Sequence, residues 1–456
     1  MNKEKILSEL QKIVGNAFVS NDPAELYIYS IDPGASKPRS VNFVVMPAST
    51  EEVQAIVKLA NEYKIPIVPM GGGLTLSGLT LPVKGGIVMD MKRMNKIVEI
   101  NKLSRYALLE AGVTTGRLQA YLDKNYPELQ VSVPDAPPSV TVAGNALING
   151  SGFLTHQHGD HGAMINGLEI VLPNGELCKL GSCGLSDYWF SRGPIPDLIG
   201  LYTSSFGIMG IVTKLSIKLY PKPKMRDLVF GLFKKTDIIP NLLYKVTSTD
   251  LVEDILLGIQ GKPDWMADYI FIISYITGNT QDELDKKEKK LKKMYRKNGA
   301  RFMKAPPRLR DAFLEKPQFA ANAADFRKGG GFEYVGSFFP LEKVPEAIEE
   351  GVKISEKYGI VPTLGARIFG ATHTVMVFFT YAFNRADPDD IQNARDALKE
   401  TNEITLKLGG IPWKGELEAQ KMILEKIDPQ YKNLLKTIKN HLDPNGIMNP
   451  GNWEVN

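Results

Sequence analysis

Residues 43–73 limit the fold more than any other part of this chain. FVVMPA (43–48) is an apolar run of strand length, and TEEVQAIVKLANEYK (50–64) places Val53, Ile56, Val57 and Ala60 on one helical face. Thr50 is the expected helix N-cap. IPIVPM (65–70) reads as the next strand, and Gly71-Gly72-Gly73 follows it at once. Strand, helix, strand and glycine loop make a βαβ unit that carries a ligand loop at a strand end. Glycines without Cβ atoms let consecutive N–H groups converge on an anion such as a pyrophosphate. The loop is neither GxGxxG nor a P-loop with GK[ST], so neither a Rossmann nor an NTPase reading follows.

Further strands are expected at 87–91 and 106–113, and glycine-broken short strands from 131 to 222, with PNG (173–175) as a hairpin turn. Lys222-Pro223-Lys224 looks like a boundary. Residues 225–400 read as a second unit of mixed strands and helices, and 416–456 as a helical stretch followed by a turn rich in Pro, Gly and Asn. The basic run DELDKKEKKLKKMYRK (282–297) carries interleaved acids and an apolar side, which suits a solvated amphipathic helix.

Charge and cysteine content narrow the function classes. Fifty-five basic residues against 51 acidic leave a net charge of +4, too small to argue for nucleic acid. Two cysteines, Cys178 and Cys183, provide no disulfide framework and too few ligands for a four-cysteine iron–sulfur centre. The N-terminal MNKEKILSELQKIVG lacks a signal-peptide core, and no apolar window reaches the ~18 residues of a membrane span. A cytoplasmic location is the expectation.

Three of the five histidines, His156, His158 and His161, crowd with Asp160 into HQHGDH. That string is a literal match to a dinuclear metallohydrolase motif, but the further ligands must come downstream. Only His373 and His441 remain there, in unsuitable contexts. No metal site is expected.

The glycine loop and the histidine loop, in this order, resemble the FAD-binding domain of the vanillyl-alcohol oxidase / p-cresol methylhydroxylase flavoproteins. Several segments carry the likeness in register: VVMPASTEEVQAIVKLANEYKIPIVPMGGG, IVMDMKRMNKIVEI, TVAGNALINGSG, LEIVLPNGEL and the tail LDPNGIMNPG. The resemblance implies an α+β fold with a two-part FAD-binding domain over 1–223, an α/β substrate domain with an antiparallel sheet over 224–410, and a C-terminal helical segment over 411–456 that returns to the first. It also implies FAD as cofactor, with Gly71, Gly72, Gly73 and Leu74 giving N–H groups to its pyrophosphate. Ser139, Gly144, Asn145, Ser151 and Gly152 would line the cofactor cleft, and Ile211 would meet the adenine end. Family members often attach FAD through a histidine in the glycine loop. MGGGLTLSG has none, which leaves His373 or Tyr381 for such a link.

For chemistry, the expected base is His158 or His161, oriented by Asp160 or replaced by it, as in the GDH loop of the aryl-alcohol branch. Arg367, His373 and Lys414 are the expected substrate-binding residues, the two cations for a carboxylate. The favoured reaction is hydride removal from a small 2-hydroxy acid of the D-lactate or glycolate type. The alternatives are a para-substituted phenol or benzylic alcohol, or an electron-relaying subunit without its own substrate. Trp413-Lys414 stands where the aryl-alcohol branch has Tyr-Arg, and the metal-binding segments of the hydroxy-acid branch are absent. Reoxidation would fall to oxygen, a quinone, an electron-transfer flavoprotein or an iron–sulfur subunit, in a homo-oligomer or a larger complex.

Overall fold

The computed structural model describes residues 3–259, 269–305, 307–314, 329–370 and 374–454. Its first part is the expected βαβ unit. Phe43–Val45, Ile87–Asp90 and Ile67–Met70 pair in parallel in that spatial order, and Val19–Ser20 adds an antiparallel edge. The helix Thr50–Tyr63 crosses between the first and third of these, burying Val53, Ile56, Val57 and Ala60. Its cap is Ser49 rather than Thr50: Ser49 Oγ accepts from the Glu52 N–H at 3.3 Å. The Thr50 hydroxyl instead donates to buried Glu169 at 2.9 Å, tying this helix to the neighbouring sheet.

That neighbour is a five-stranded antiparallel sheet in the order Ile97–Asn101, Tyr106–Glu110, Ile211–Lys218, Ile165–Val171 and Leu177–Gly181. The PNG turn closes the last pair, with Gly175 at φ +83°, a conformation open to glycine. Both small sheets share one apolar core.

An eight-stranded antiparallel sheet forms the second part. Its order is Arg301–Met303, Met225–Phe233, Ile270–Gly278, Asp254–Ile259, Thr363–Phe369, Thr374–Asn384, Gly330–Phe339 and Ile411–Trp413. Side chains alternate across a strand, so the sheet serves two cores. Leu228, Phe230, Leu256, Ile273 and Tyr275 join the first core, whereas Val229, Ile255, Leu257 and Ile272 pack under the helices Ile239–Thr247, Gln281–Lys297, Val344–Lys357 and Pro388–Lys407. The 282–297 run is therefore an amphipathic helix that buries Leu284, Leu291 and Tyr295.

Residues 411–413 are the edge strand of this sheet, beyond the expected division at 410. After the helices Leu417–Lys426 and Pro429–Leu442, the tail pairs with the first sheet. Ile67 N–H donates to Ile447 O at 2.7 Å, and Asn449 N–H to Ile67 O at 2.8 Å. The strand leading into the glycine loop is thus braced by the chain's far end. Among the described residues no helix is long and apolar enough to cross a membrane.

Candidate active site

A cavity of about 450 Å³ opens where the glycine loop faces the large sheet. One wall is Gly71–Leu76 with Val140, Thr141, Gly144 and Asn145. The backbones here approach too closely for side chains. A Cβ on Gly72 would stand 2.9 Å from the Ser139 carbonyl, and one on Gly71 would stand 2.4 Å from Thr141 Oγ1, while Gly73 sits at φ +70°. Among the described residues no acceptor takes the N–H groups of Gly71 through Thr75. Backbone donors left uncommitted in a cleft need a partner, and an anion with many acceptor oxygens meets that need. The residues present therefore fit an FAD pyrophosphate.

Thr141 caps the short helix Val142–Leu147, its hydroxyl accepting from Gly144 N–H at 3.2 Å, and this holds Gly144 and Asn145 at the cleft. Behind Asn145 stands His161, fully buried. Its Nδ1 meets Asn145 Oδ1 and its Nε2 meets Ser132 Oγ at 2.7 Å. The amide oxygen accepts only, so Nδ1 carries the proton and Nε2 accepts from the serine. Burial, reinforced by the Arg367 charge, pushes the His161 pKa down to about 3, with Asp135 opposing. His161 is thus a neutral fixture that orients Asn145.

The opposite wall comes from the large sheet. Strand register brings together residues far apart in the chain: Leu256 pairs with Arg367, Arg367 with Met376, Tyr334 with Thr380, and Gly336 with Trp413. Phe332, Tyr334, Met376, Phe378, Thr380 and Trp413 supply most of this surface. Trp413 Nε1 donates to Ile148 O at 2.6 Å, which fastens the wall to the cofactor side.

Arg367 is buried in that wall between two carboxylates, Asp135 at 2.7 Å and Asp254 at 3.0 Å. Burial alone would lower its pKa, but Asp135 and Asp254 more than reverse this, and the guanidinium stays charged. Its Nε has no hydrogen-bond partner among the described residues. Lys414, at φ +53°, donates to Thr75 O at 3.0 Å and lies over the rings of Trp413 and Tyr334. Burial brings its pKa down to about 8 against the pull of Glu333 and Asp32.

Of the residues expected at the cofactor, Gly71, Gly72, Gly73, Leu74, Gly144, Asn145 and Ser151 line the cavity. Ser139, Gly152 and Ile211 are not among the lining residues. Ser139 acts through its carbonyl against Gly72, and Gly152 bridges to Pro134. Ile211 turns into the core while Gly210 and Val212 line the cleft.

The expected bases lie elsewhere. His158 stacks on Tyr220 at 4.0 Å, and Asp160 caps a turn by accepting from Ala163 N–H at 2.8 Å. Neither lines the cavity, nor does His161. His156 is buried, with its pKa lowered to about 4 by that burial, and its Nδ1 has no partner among the described residues. The three histidines therefore point to separate surroundings, and among the described residues no group of metal-ligating side chains forms. Of the expected substrate residues, Arg367 and Lys414 line the cavity, and His373 lies outside the described residues. Tyr381 turns its hydroxyl to Thr401, away from the cavity. Asp135, Tyr334, Met376, Phe378 and Thr380 were not singled out from the sequence, although Asp135 sits in the PDAPP run before the cofactor segment and Met376 and Phe378 follow His373 closely in VMVFF.

Comparison with known proteins agrees with this geometry. A family profile described as an FAD binding domain matches residues 41–181, and one described as the C-terminal domain of FAD linked oxidases matches 234–453. The glycolate oxidase subunit GlcD of Bacillus subtilis is 26% identical, over 99% of this chain and 97% of its own. The 4-cresol dehydrogenase [hydroxylating] flavoprotein subunit of Pseudomonas putida is 24% identical over 98% and 94%. Among solved structures, substrate-bound p-cresol methylhydroxylase superposes with a TM-score of 0.85 at 22% identity, over 99% of this chain and 96% of that one. The 4-ethylphenol oxidase of Gulosibacter chungangensis gives 0.88 at 22%, over 99% and 97%. With both halves matched and the fold of p-cresol methylhydroxylase shared throughout, the chain belongs to the FAD-linked oxidases, as an FAD-dependent dehydrogenase or oxidase.

Proposed function

We propose that this enzyme oxidises the hydroxyl-bearing carbon of an aromatic alcohol, of the para-hydroxybenzylic kind, to the carbonyl. The observation that carries this reading is the pairing of Arg367 with both Asp135 and Asp254. A guanidinium already neutralised by two carboxylates is a poor clamp for a third, which weakens the expectation that Arg367 reads a substrate carboxylate. The surrounding wall of Phe332, Tyr334, Phe378, Trp413 and Met376 offers flat apolar surface to a ring. A two- or three-carbon acid has little with which to cover it.

Bound FAD supplies the two-electron acceptor for the hydride that leaves the carbon. In this reading Asp135 accepts the hydroxyl proton, being a cavity-lining carboxylate held in place by Arg367. Asn145 and the Gly71–Thr75 amides hold the cofactor, and Lys414 offers a positive charge to a phenolate or other developing anion. The named subunit character of GlcD and of the 4-cresol flavoprotein supports an acceptor outside this chain, such as a quinone or a separate electron-transfer protein.

A second reading, oxidation of a 2-hydroxy acid as in the glycolate oxidase relative, is favoured by Lys414. Its ammonium has one hydrogen-bond acceptor among the described residues, Thr75 O, and so retains donors for a carboxylate. Anaerobic addition of 4-hydroxybenzyl alcohol, D-lactate and glycolate to the FAD-loaded protein separates the two. Flavin bleached by the alcohol supports the first reading; bleaching by an acid alone overturns it in favour of the second.

A further inference from the structure

Behind the glycine loop lies a second set of buried charges that faces away from substrate. Glu333 sits on the strand Gly330–Phe339, between the lining residues Phe332 and Tyr334, and its side chain is turned from the cavity and 1% exposed. One carboxylate oxygen accepts from Ser77 Oγ at 3.0 Å and from Tyr334 N–H at 3.1 Å. The other accepts from Ala35 N–H at 2.9 Å. Asp32, also buried, accepts from Gly34 N–H at 3.0 Å and Gly78 N–H at 2.7 Å.

These two carboxylates therefore grip Ser77 and Gly78. That grip falls where the loop is strained: Leu76 and Ser77 have φ of +67° and +55°, a region that L side chains avoid without external support. Leu76 lines the cavity and directly follows the amides of Gly71–Thr75. Arg39 clamps the far side of the same loop through Gly78 O at 2.9 Å and Leu81 O at 3.0 Å.

We propose that Asp32 and Glu333 are positioning residues, a buried carboxylate clasp that holds the cofactor loop in its strained form and, through Thr75 in that loop, sets the place of Lys414. The inference rests on the reading that this cleft holds FAD. Both carboxylates act on the Lys414 charge, and Lys414 itself donates to Thr75 O, inside the loop they hold. The other charged groups around the clasp are Arg39, Glu416 near Arg39, and Arg385 and Arg395, which bind the carbonyls of residues 32, 33 and 35. Burial raises the Glu333 pKa to about 7, with Asp32 adding to the rise and the Ala35, Tyr334 and Ser77 donors opposing it.

Full-length apoprotein titrated with FAD by flavin fluorescence gives the first readout, and the pH dependence of the bound flavin absorbance from pH 6 to 10 gives the second. Lys414→Met, which removes the titrating group, identifies its transition. Glu333→Gln cannot satisfy donors on both of its former oxygens, and Asp32→Asn has the same fault. Each is expected to raise the FAD Kd by ~10-fold, the cost of a buried donor left unpaired. Each is also expected to move the Lys414 transition to lower pH, because a negative charge that favours the ammonium is gone.

A purely structural role would lower Tm and leave that midpoint in place, and this result overturns the proposal. Should both charge variants fail to fold, Ser77→Ala removes one donor without changing charge. Weaker FAD binding by Ser77→Ala, with the wild-type midpoint, supports the clasp; unchanged binding overturns it. Wild-type protein that binds no FAD overturns instead the reading on which the inference rests.

Discussion

The two walls of the cavity are built by opposite strategies. The cofactor wall uses backbone: Gly71–Thr75 offer amides, and the neighbouring segments pack too closely for side chains. The sheet wall uses side chains whose neighbours are set by β register, from Leu256 through Tyr334, Arg367 and Met376 to Trp413. A backbone site recognises what every cofactor of its class shares, whereas a side-chain wall is free to vary with the substrate. Relatives alike along most of this chain yet with different named substrates, glycolate and 4-cresol, fit that division.

Substitutions that respect or violate the division test it. The largest effect is expected from Gly72→Val, whose Cβ would meet the Ser139 carbonyl, a backbone atom with little room to move. FAD binding should fall by ~100-fold or more in a fluorescence titration, while the sheet wall stays folded by circular dichroism. Retained binding would show that the cofactor wall tolerates side chains.

Replacing Arg367 by Met removes the cation that pairs with buried Asp254 and half-buried Asp135. A loss of ~3–5 kcal/mol in unfolding free energy is expected in urea, more than a surface ion pair is worth. A change below ~1 kcal/mol would mean that the pair contributes little to the wall.

The Lys414 ammonium, with a pKa near 8, gives a pH signature. Below that pH it is charged, and above it the charge is lost. KM for a substrate bound as an anion should therefore rise by up to ~10-fold per pH unit above about 8, and Lys414→Met should flatten that limb. The smallest effect concerns His161, held neutral by burial and by its hydrogen bonds to Asn145 and Ser132. Its ring NMR signals should show no titration between pH 5 and 9, and a midpoint inside that range would contradict its role as a fixture.

The same division explains what could be read from the sequence. The cofactor wall was legible because its signals are local: a strand that ends in three glycines, and TVAGNALINGSG over a dozen residues. The α+β fold and the FAD assignment followed from those segments. The sheet wall was mostly illegible, since only register decides that Tyr334 and Arg367, 33 positions apart, share one cavity. Two cations were found there because charge stands out in an apolar strand, yet the carboxylates that neutralise Arg367 come from residues 135 and 254. The surroundings of the histidine loop were illegible for a related reason. Titratable residues crowded in sequence suggest a base, but the turn sends His158 to Tyr220 and buries His161 behind Asn145.

Asp135 stands at the seam, contributed by the segment before the cofactor wall and bound to the sheet wall through Arg367. The most direct test is therefore anaerobic stopped-flow reduction of FAD-loaded Asp135→Asn by the substrate that bleaches wild type. The account predicts a normal oxidised flavin spectrum, an FAD Kd close to wild type, and flavin reduction slowed by ~10²–10⁴-fold. Reduction at the wild-type rate, with slowing in Asp160→Asn instead, would contradict it and return the base to the GDH loop.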